Sequence, residues 1–267
     1  MKVEVDSLMN PSVFREQIDS QGYALLPGVL TSDQVRTLKA ALDRAIGAES
    51  KDHTAHGRTE MANVSMVLLC ALYGDEFLDL FDIEPLIQPF EWVMGEGCIV
   101  YAYTSSSMPP RATNYSGRIH VDCPRLIDGY ISNMGATLLL DDFTEENGAT
   151  WFLPASHTRE SAPSPDEFYD KGARAIAPAG SVLYFNARLW HAGGANQTDR
   201  WRHALTINMC RSYMKQRIDI PRALKARGIV PKSAKARQKL GFLAQVPASY
   251  DEYYLPPTER PFQQGAE

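Results

Sequence analysis

The sequence predicts a mainly β fold with flanking helices, a sheet sandwich or barrel entered through a helical region. Two observations carry this. After Gly95, short β-branched or aromatic runs follow one another between turn residues: CIVYAYTS, GRIHVD, GATLLLDD, ATWFLP, SVLYFNARLWH and RHALTINMCRSY. Before Gly95, apolar residues recur at helical spacing instead. Strand runs with no helical pattern between them argue against alternating strand and helix. At 267 residues, 44% hydrophobic and 22% charged, one domain with a sizeable core is expected. Its parts are a helical region 1–95, a β core of about 96–213 and a C-terminal extension or lid 214–267.

The elements follow in order. Asn10-Pro11-Ser12 starts a helix, with Phe14 and Ile18 on one face and Gly22 to end it. YALLPGVL is a short apolar strand. TSDQVRTLKAALDRAIG is an amphipathic helix capped by Thr31 or Ser32. Val35, Leu38, Leu42 and Ala45 form its buried stripe, and Gly47 closes it. Residues 48–62, with His53 and His56, are expected to be a polar loop. Met66 to Met94 is helical, its phenylalanines belonging to the core. In the β region, Asn147-Gly148 is a hairpin signal between LLLDD and ATWFLP. The segment KARGIVPKSAKARQK concentrates positive charge, either as a solvated helix or as an anion-attracting surface.

Bulk properties remove several function classes. A net charge of −5 speaks against a nucleic-acid binder. The longest apolar runs, such as SMVLLCALYG, are too short to span a bilayer. MKVEVDSLMNPSVFREQ has no apolar core of a secretory signal, so a cytoplasmic location is expected. Cys70, Cys98, Cys123 and Cys210 are scattered without a C-x-x-C pair, which argues against a disulfide framework or structural zinc. Only Cys123 adjoins a motif.

That motif is GRIHVDCPR. On a strand, His120 and Asp122 project to one side and Val121 to the other. Alone, H-x-D is weak. Two histidines and one carboxylate, however, form the facial triad of non-heme iron oxygenases, which leaves positions open on the metal. The chain has six histidines. His53 and His56 lie in the polar stretch, His157 in a turn and His203 inside RWRHALTIN. His191 ends a strand run and precedes the small-residue loop AGGANQ, which makes it the best third ligand. Arg202 lies eleven residues further on, and a guanidinium can grip a carboxylate with two parallel hydrogen bonds. Thr206 would share its strand face. H-x-D, about seventy residues, His, then Arg at +11 is far more specific than H-x-D alone.

The chain resembles the phytanoyl-CoA dioxygenase-like family of iron(II)/2-oxoglutarate oxygenases over about residues 12–217. The marks are FREQIDSQGYALLPGVLTSDQVRTL, HVD, LDDFTEENGATWFLPASH and GSVLYFNARLWHAGGANQTDRWRHAL. The resemblance implies a double-stranded β-helix (a cupin-like jelly roll) with flanking helices. It implies His120, Asp122 and His191 as iron ligands and Arg202 as partner of the 2-oxoglutarate C5 carboxylate. Iron(II), 2-oxoglutarate and O2 would together oxidise an unactivated C–H of a small molecule. Hydroxylation in specialised metabolism is the leading expectation. Desaturation, cyclisation, epimerisation or acyl-CoA hydroxylation are the alternatives. Related halogenases replace the carboxylate by Gly or Ala, so Asp122 speaks against halogenation. Many relatives carry Ser or Thr two residues after the distal histidine. Here Gly193 stands there, and Thr137 or Thr206 would have to supply the missing hydroxyl, or the cosubstrate is held less tightly.

Substrate contacts are expected from Arg111, Asn114, Tyr115 and Arg118. His157 and Asn196 read as loop braces, Arg188 and Trp190 as structural, and His203 and Cys123 as facing away. A zinc or manganese enzyme of non-oxidative chemistry would not need Arg202, and a non-catalytic binding jelly roll would need no intact triad. A monomer or homodimer is expected, with no nucleic-acid or membrane partner.

Overall fold

The computed structural model describes residues 8–58 and 66–261. Helix α1 (Pro11–Gln21) is capped by Asn10, whose side chain accepts from the Ser12 and Val13 amides. It ends at Gly22, where φ is +80° and a Cβ would lie 2.5 Å from His157 Nδ1. Only glycine meets both demands. Strand β1 (Tyr23–Leu26) follows. Helix α2 (Ser32–Ala55) opens with a reciprocal Thr31–Gln34 capping box and buries Val35, Leu38, Ala41, Leu42 and Ala45.

Helix α2 does not stop at Gly47, as the sequence suggested. A Cβ at Gly47 would meet nothing within 4 Å, so this glycine sits on an open face. Its cost in a helix, about 1 kcal/mol, is offset by i,i+4 pairs beyond it. Glu49 faces His53 at 3.4 Å and Asp52 faces His56 at 3.4 Å. The two histidines therefore belong to the end of a surface helix. The remainder of that expected loop, residues 59–62, lies outside the described residues.

Between 66 and 94 the helical pattern is broken into pieces. A 3-10 turn (Cys70–Leu72) leads to α3 (Asp75–Leu78), a second 3-10 turn (Asp79–Asp82) and α4 (Glu84–Met94). Phe77, Phe81 and Phe90 are fully buried.

The β elements then come in turn: β2 (Ile99–Ser105), β3 (Asn133–Leu139) and β4 (Trp151–Phe152), then helix α5 (Pro165–Lys171). They continue as β5 (Ala173–Arg174), β6 (Val182–Asn186), β7 (His191–Ala192) and β8 (Ala204–Cys210). Two antiparallel sheets result, of order β1-β6-β3-β8-β2 and β5-β4-β7. The larger sheet has two working faces. Tyr184, Ala136, Leu138, Leu205 and Ile207 pack into the core beneath the helices. On the other face, Leu183 and Phe185 meet Phe152 of the small sheet. The core therefore lies between helices and sheet, and the sandwich interior is left for a site.

Three expected strand features change. SVLYFNARLWH is not one strand: β6 ends at Asn186, whose side chain accepts from the Arg188 amide while its carbonyl accepts from Leu189. This turn moves the chain into the other sheet, where β7 begins. GRIHVD forms no regular strand but a single antiparallel bridge, His120 to His191. Asn147-Gly148 is not a hairpin between its flanking strands, because β3 and β4 lie in different sheets. It is a turn, with Gly148 at φ +82° and the Asn147 side chain bonded to Asp142 O and Thr144 N.

The C-terminal extension holds α6 (Ile220–Ala226), α7 (Ala234–Lys239) and α8 (Tyr250–Tyr253). Three of its lysines are turned to acids, while Lys225 meets Gln245 and the Phe242 ring. Lys232 pairs with Asp75, and Lys235 and Lys239 both pair with Glu91. No helix among the described residues is long and apolar enough to cross a membrane.

Candidate metal centre and its cavity

Backbone pairing assembles the centre. His120 N–H donates to His191 O, and His191 N–H donates to His120 O, both at 3.0 Å. This reciprocal pair sets the two rings side by side, centroids 4.2 Å apart. The Asp122 and Cys123 amides both donate to Ala187 O, at 2.8 and 2.9 Å, in the turn before β7. Asp122 is thereby held beside both histidines, and ligand atoms of the three residues lie within 4.8 Å of one another.

Each imidazole is also fixed in orientation. His120 Nδ1 lies 2.7 Å from Arg118 O, and His191 Nδ1 lies 2.9 Å from Leu189 O. A carbonyl only accepts, so each Nδ1 carries the proton and each Nε2 is left with its lone pair. Those Nε2 atoms face Asp122 Oδ1 at 3.6 and 3.9 Å. Asn208 Nδ2 donates to Asp122 Oδ2 at 3.1 Å. Behind His191 stands the Phe185 ring, 5.0 Å away, which in turn lies over Gly135, where a Cβ would come within 2.3 Å of it.

Burial opposes charge on all three groups. It prevails at His191, which titrates below an ordinary histidine. At His120 burial is outweighed by Asp122 and the Arg118 carbonyl, and the ring titrates higher than usual. Burial would also raise Asp122, but the facing histidines and Asn208 hold it below the usual carboxylate range. Two ring nitrogens and one ionised carboxylate on one side of a cavity fit a divalent first-row metal with open positions.

Arg202 lines the same cavity and is 2% exposed. Its Nη1 donates to Gly148 O at 2.6 Å and its Nη2 to Ser106 O at 2.7 Å, with Phe143 beneath the guanidinium. Its Nε has no hydrogen-bond partner. Burial pushes its pKa down to about 9, against the distant support of Asp141. A buried cation with a donor to spare and no paired carboxylate among the described residues fits an anionic ligand carried in from outside.

The cavity, about 560 Å3, also takes in Thr137, Thr206 and Gly193. Thr137 and Thr206 are cross-strand partners, and the Thr206 hydroxyl donates to Ser106 Oγ at 3.1 Å. At Gly193 a Cβ would lie 2.4 Å from Met108 Cε and 2.6 Å from Ser116 Oγ, so a larger side chain would require the Met108 and Ser116 side chains to move. The hydroxyls of Ser106, Ser116 and Thr150 also reach this cavity. Nothing in their sequence context distinguishes them.

Of the expected substrate contacts, Tyr115 and Arg118 line the cavity. Arg111 does not: it forms a two-pronged ion pair with Asp199, at 2.8 and 3.0 Å, on an exposed corner. Asn114 does not either. Its side chain bonds Ser107 O and the Ser116 amide and hydroxyl, bracing its own loop. Tyr101, Asn208 and Arg217 line the cavity without having been singled out.

The remaining marked residues serve the frame. His157 Nε2 lies 3.1 Å from Asp19 O, and Asn196 donates to carbonyls of Pro109 and Arg200. Arg188 donates to carbonyls of His157, Pro124 and Arg159. His203 pairs with Asp43 at 3.2 Å, and Cys123 Sγ faces Ser132 Oγ.

Comparison with known proteins gives this geometry relatives. The family model described as phytanoyl-CoA dioxygenase matches residues 18–204. "Uncharacterized protein Rv1501" of Mycobacterium tuberculosis (strain ATCC 25618 / H37Rv) is 28% identical, covering 98% of each chain. Among solved structures, the non-heme monooxygenase ThoJ in its apo form is similar at a TM-score of 0.62 and 19% identity, over 76% of this chain and 79% of that one. The carbocyclase SnoK, described as non-heme and alpha-ketoglutarate dependent and from nogalamycin biosynthesis, is similar at 0.58 and 20%, over 79% and 87%.

Proposed function

The chain belongs to the phytanoyl-CoA dioxygenase family and is an iron(II)/2-oxoglutarate-dependent oxygenase; we propose that it hydroxylates an unactivated C–H bond of a small molecule. In this reading His120, Asp122 and His191 hold the iron, and Arg202 receives the far carboxylate of 2-oxoglutarate. One observation carries it: a His-Asp-His cluster with both Nε2 atoms turned inward shares a cavity with a buried arginine that has no carboxylate partner among the described residues.

Iron(II), 2-oxoglutarate and O2 supply the oxidising chemistry, with succinate and CO2 as coproducts. The chain's own residues do the rest. The Arg118 and Leu189 carbonyls fix which nitrogen each histidine offers. Asn208 holds one carboxylate oxygen of Asp122 and leaves the other toward the histidines. Thr137 and Thr206 place hydroxyls on the wall shared with Arg202, where they can bind the cosubstrate carboxylate. Because Asp122 fills its place, halide transfer is not expected. Specialised metabolism is the proposed setting, favoured by the likeness to SnoK from nogalamycin biosynthesis. The same neighbour favours ring closure as the second reading.

The test is anaerobic. Iron(II) and then 2-oxoglutarate are added, and the visible charge-transfer band of a chelated 2-oxo acid is recorded for the parent, Asp122→Ala and Arg202→Ala. A parent band that is lost in Asp122→Ala and needs much more 2-oxoglutarate in Arg202→Ala supports the assignment. No band with folded, iron-loaded protein overturns it. Admitting O2 with candidate substrates then separates hydroxylated from cyclised products by mass.

A further inference from the structure

Three arginines line the cavity: Arg118, Arg202 and Arg217. Asp122 is the one acidic group in the described lining. Under the proposed function, the iron charge is met by Asp122 and one end of 2-oxoglutarate, and Arg202 is met by the other end. Arg118 and Arg217 are then left without counter-charges.

Neither has a side-chain hydrogen bond or ion pair among the described residues. Arg118 offers only its carbonyl, to His120, and Arg217 only its amide, to Tyr101 O at 2.9 Å. Other cavity-side or nearby arginines behave differently: Arg111 is taken by Asp199, and Arg188 and Arg211 by backbone carbonyls. Arg118 enters from the segment before His120. Arg217 enters from the C-terminal extension, beside Tyr101. Tyr115 lines the same cavity; burial raises its phenol, while a hydrogen bond with Thr104 and the charge of Arg217 act the other way. Both arginines are exposed to solvent, so they mark the open side of a cavity of about 560 Å3 that also holds the His-Asp-His cluster, a size suited to a small molecule.

We propose that the substrate is a small molecule with its own oxyanion (a carboxylate, phosphate or sulfate), which Arg118 and Arg217 receive inside the cavity. The two guanidiniums come from different segments, and each can donate to the anion. With that end fixed and 2-oxoglutarate held at Arg202, the carbon chain of the substrate is directed toward the His120–Asp122–His191 face. This inference rests on the proposed function, whose own test is the charge-transfer band.

The experiment uses protein loaded anaerobically with iron(II) and 2-oxoglutarate. Calorimetric titration compares matched probes: phenylacetate, phenyl phosphate and phenyl sulfate against phenylacetamide and benzyl alcohol. A coenzyme A thioester is run beside them. The expected result is that at least one oxyanion binds at millimolar concentration or below, and its neutral partners bind at least tenfold more weakly. Arg118→Gln and Arg217→Gln should each weaken that anion about tenfold, with the band intact. Three results overturn the proposal: neutral probes binding as well as the anions, anion affinity unchanged in both variants, or no small anion bound while the band is present. Binding of the thioester alone belongs with the third. If no band forms, the oxygenase reading fails, while the same titration on that protein still shows whether the two arginines hold an anion.

Discussion

At the scale of single residues, the centre depends on a side chain that the sequence motif does not contain. Asn208, on the cavity wall, donates to Asp122 Oδ2. Replacing it by alanine frees the carboxylate to rotate. The expected loss in iron affinity is about 10–100-fold, typical of removing a partner of a metal ligand, with the fold unchanged. Equilibrium titration of iron(II) against a competing chelator checks it; an affinity equal to the parent's would reject the positioning role. The residues that the sequence singled out by spacing, His120, Asp122, His191 and Arg202, converge in one cavity. Asn208 and Arg217 escaped notice because a polar residue on a strand and an arginine in a basic segment look alike whether they face a site or water. Arg111 and Asn114 misled for the same reason. Their loop does approach the cavity, but a nearby carboxylate and a backbone turn claim their side chains first.

Among elements, helices α4 and α7 are clamped by a buried charge cluster. Lys239, fully buried, and Lys235 both reach Glu91, at 2.8 and 2.5 Å, and Lys239 also donates to Glu96 O. Burial alone would raise the Glu91 carboxyl; the two lysines hold it below its ordinary value. A lowered carboxyl stabilises the folded state above its unfolded pKa, near 4.3, and that contribution is lost as pH falls through the lower folded value. Glu91→Gln should therefore cost about 3 kcal/mol at neutral pH, since it strands a buried lysine. The gap from the parent should narrow below about pH 4. Urea unfolding at both pH values measures it, and a gap that widens in acid would contradict the assignment. Elements were legible where periodicity decided them, as in α1, β2 and β8. They were misjudged where a tertiary choice decided them. The Asn186 turn divides an apparently continuous strand, and Asn147-Gly148 joins two sheets instead of two neighbours, which no local pattern announces.

For the whole molecule, Arg202 ties distant parts of the chain together. It bonds the carbonyls of Ser106 and Gly148, lies over Phe143 and pairs through its backbone with Met108. An anion that neutralises it should stabilise the entire fold, because the unfolded chain has no such site. At a 2-oxoglutarate concentration one hundred times its dissociation constant, the gain is about 2.7 kcal/mol. Thermal unfolding of the metal-loaded protein should therefore shift upward with 2-oxoglutarate, and Arg202→Ala should remove most of that shift at the same concentration. A shift that persists undiminished would assign the cosubstrate to other residues.

The extension after β8 has a further meaning. The family match ends at residue 204, yet Thr206, Asn208 and Arg217 all face the cavity from beyond it. His120, Asp122 and His191 lie inside the matched stretch, and Arg217 lies beyond it. The match thus takes in the His-Asp-His cluster together with Arg118 and Arg202, while part of the wall around them, Asn208 included, is built by chain that follows it.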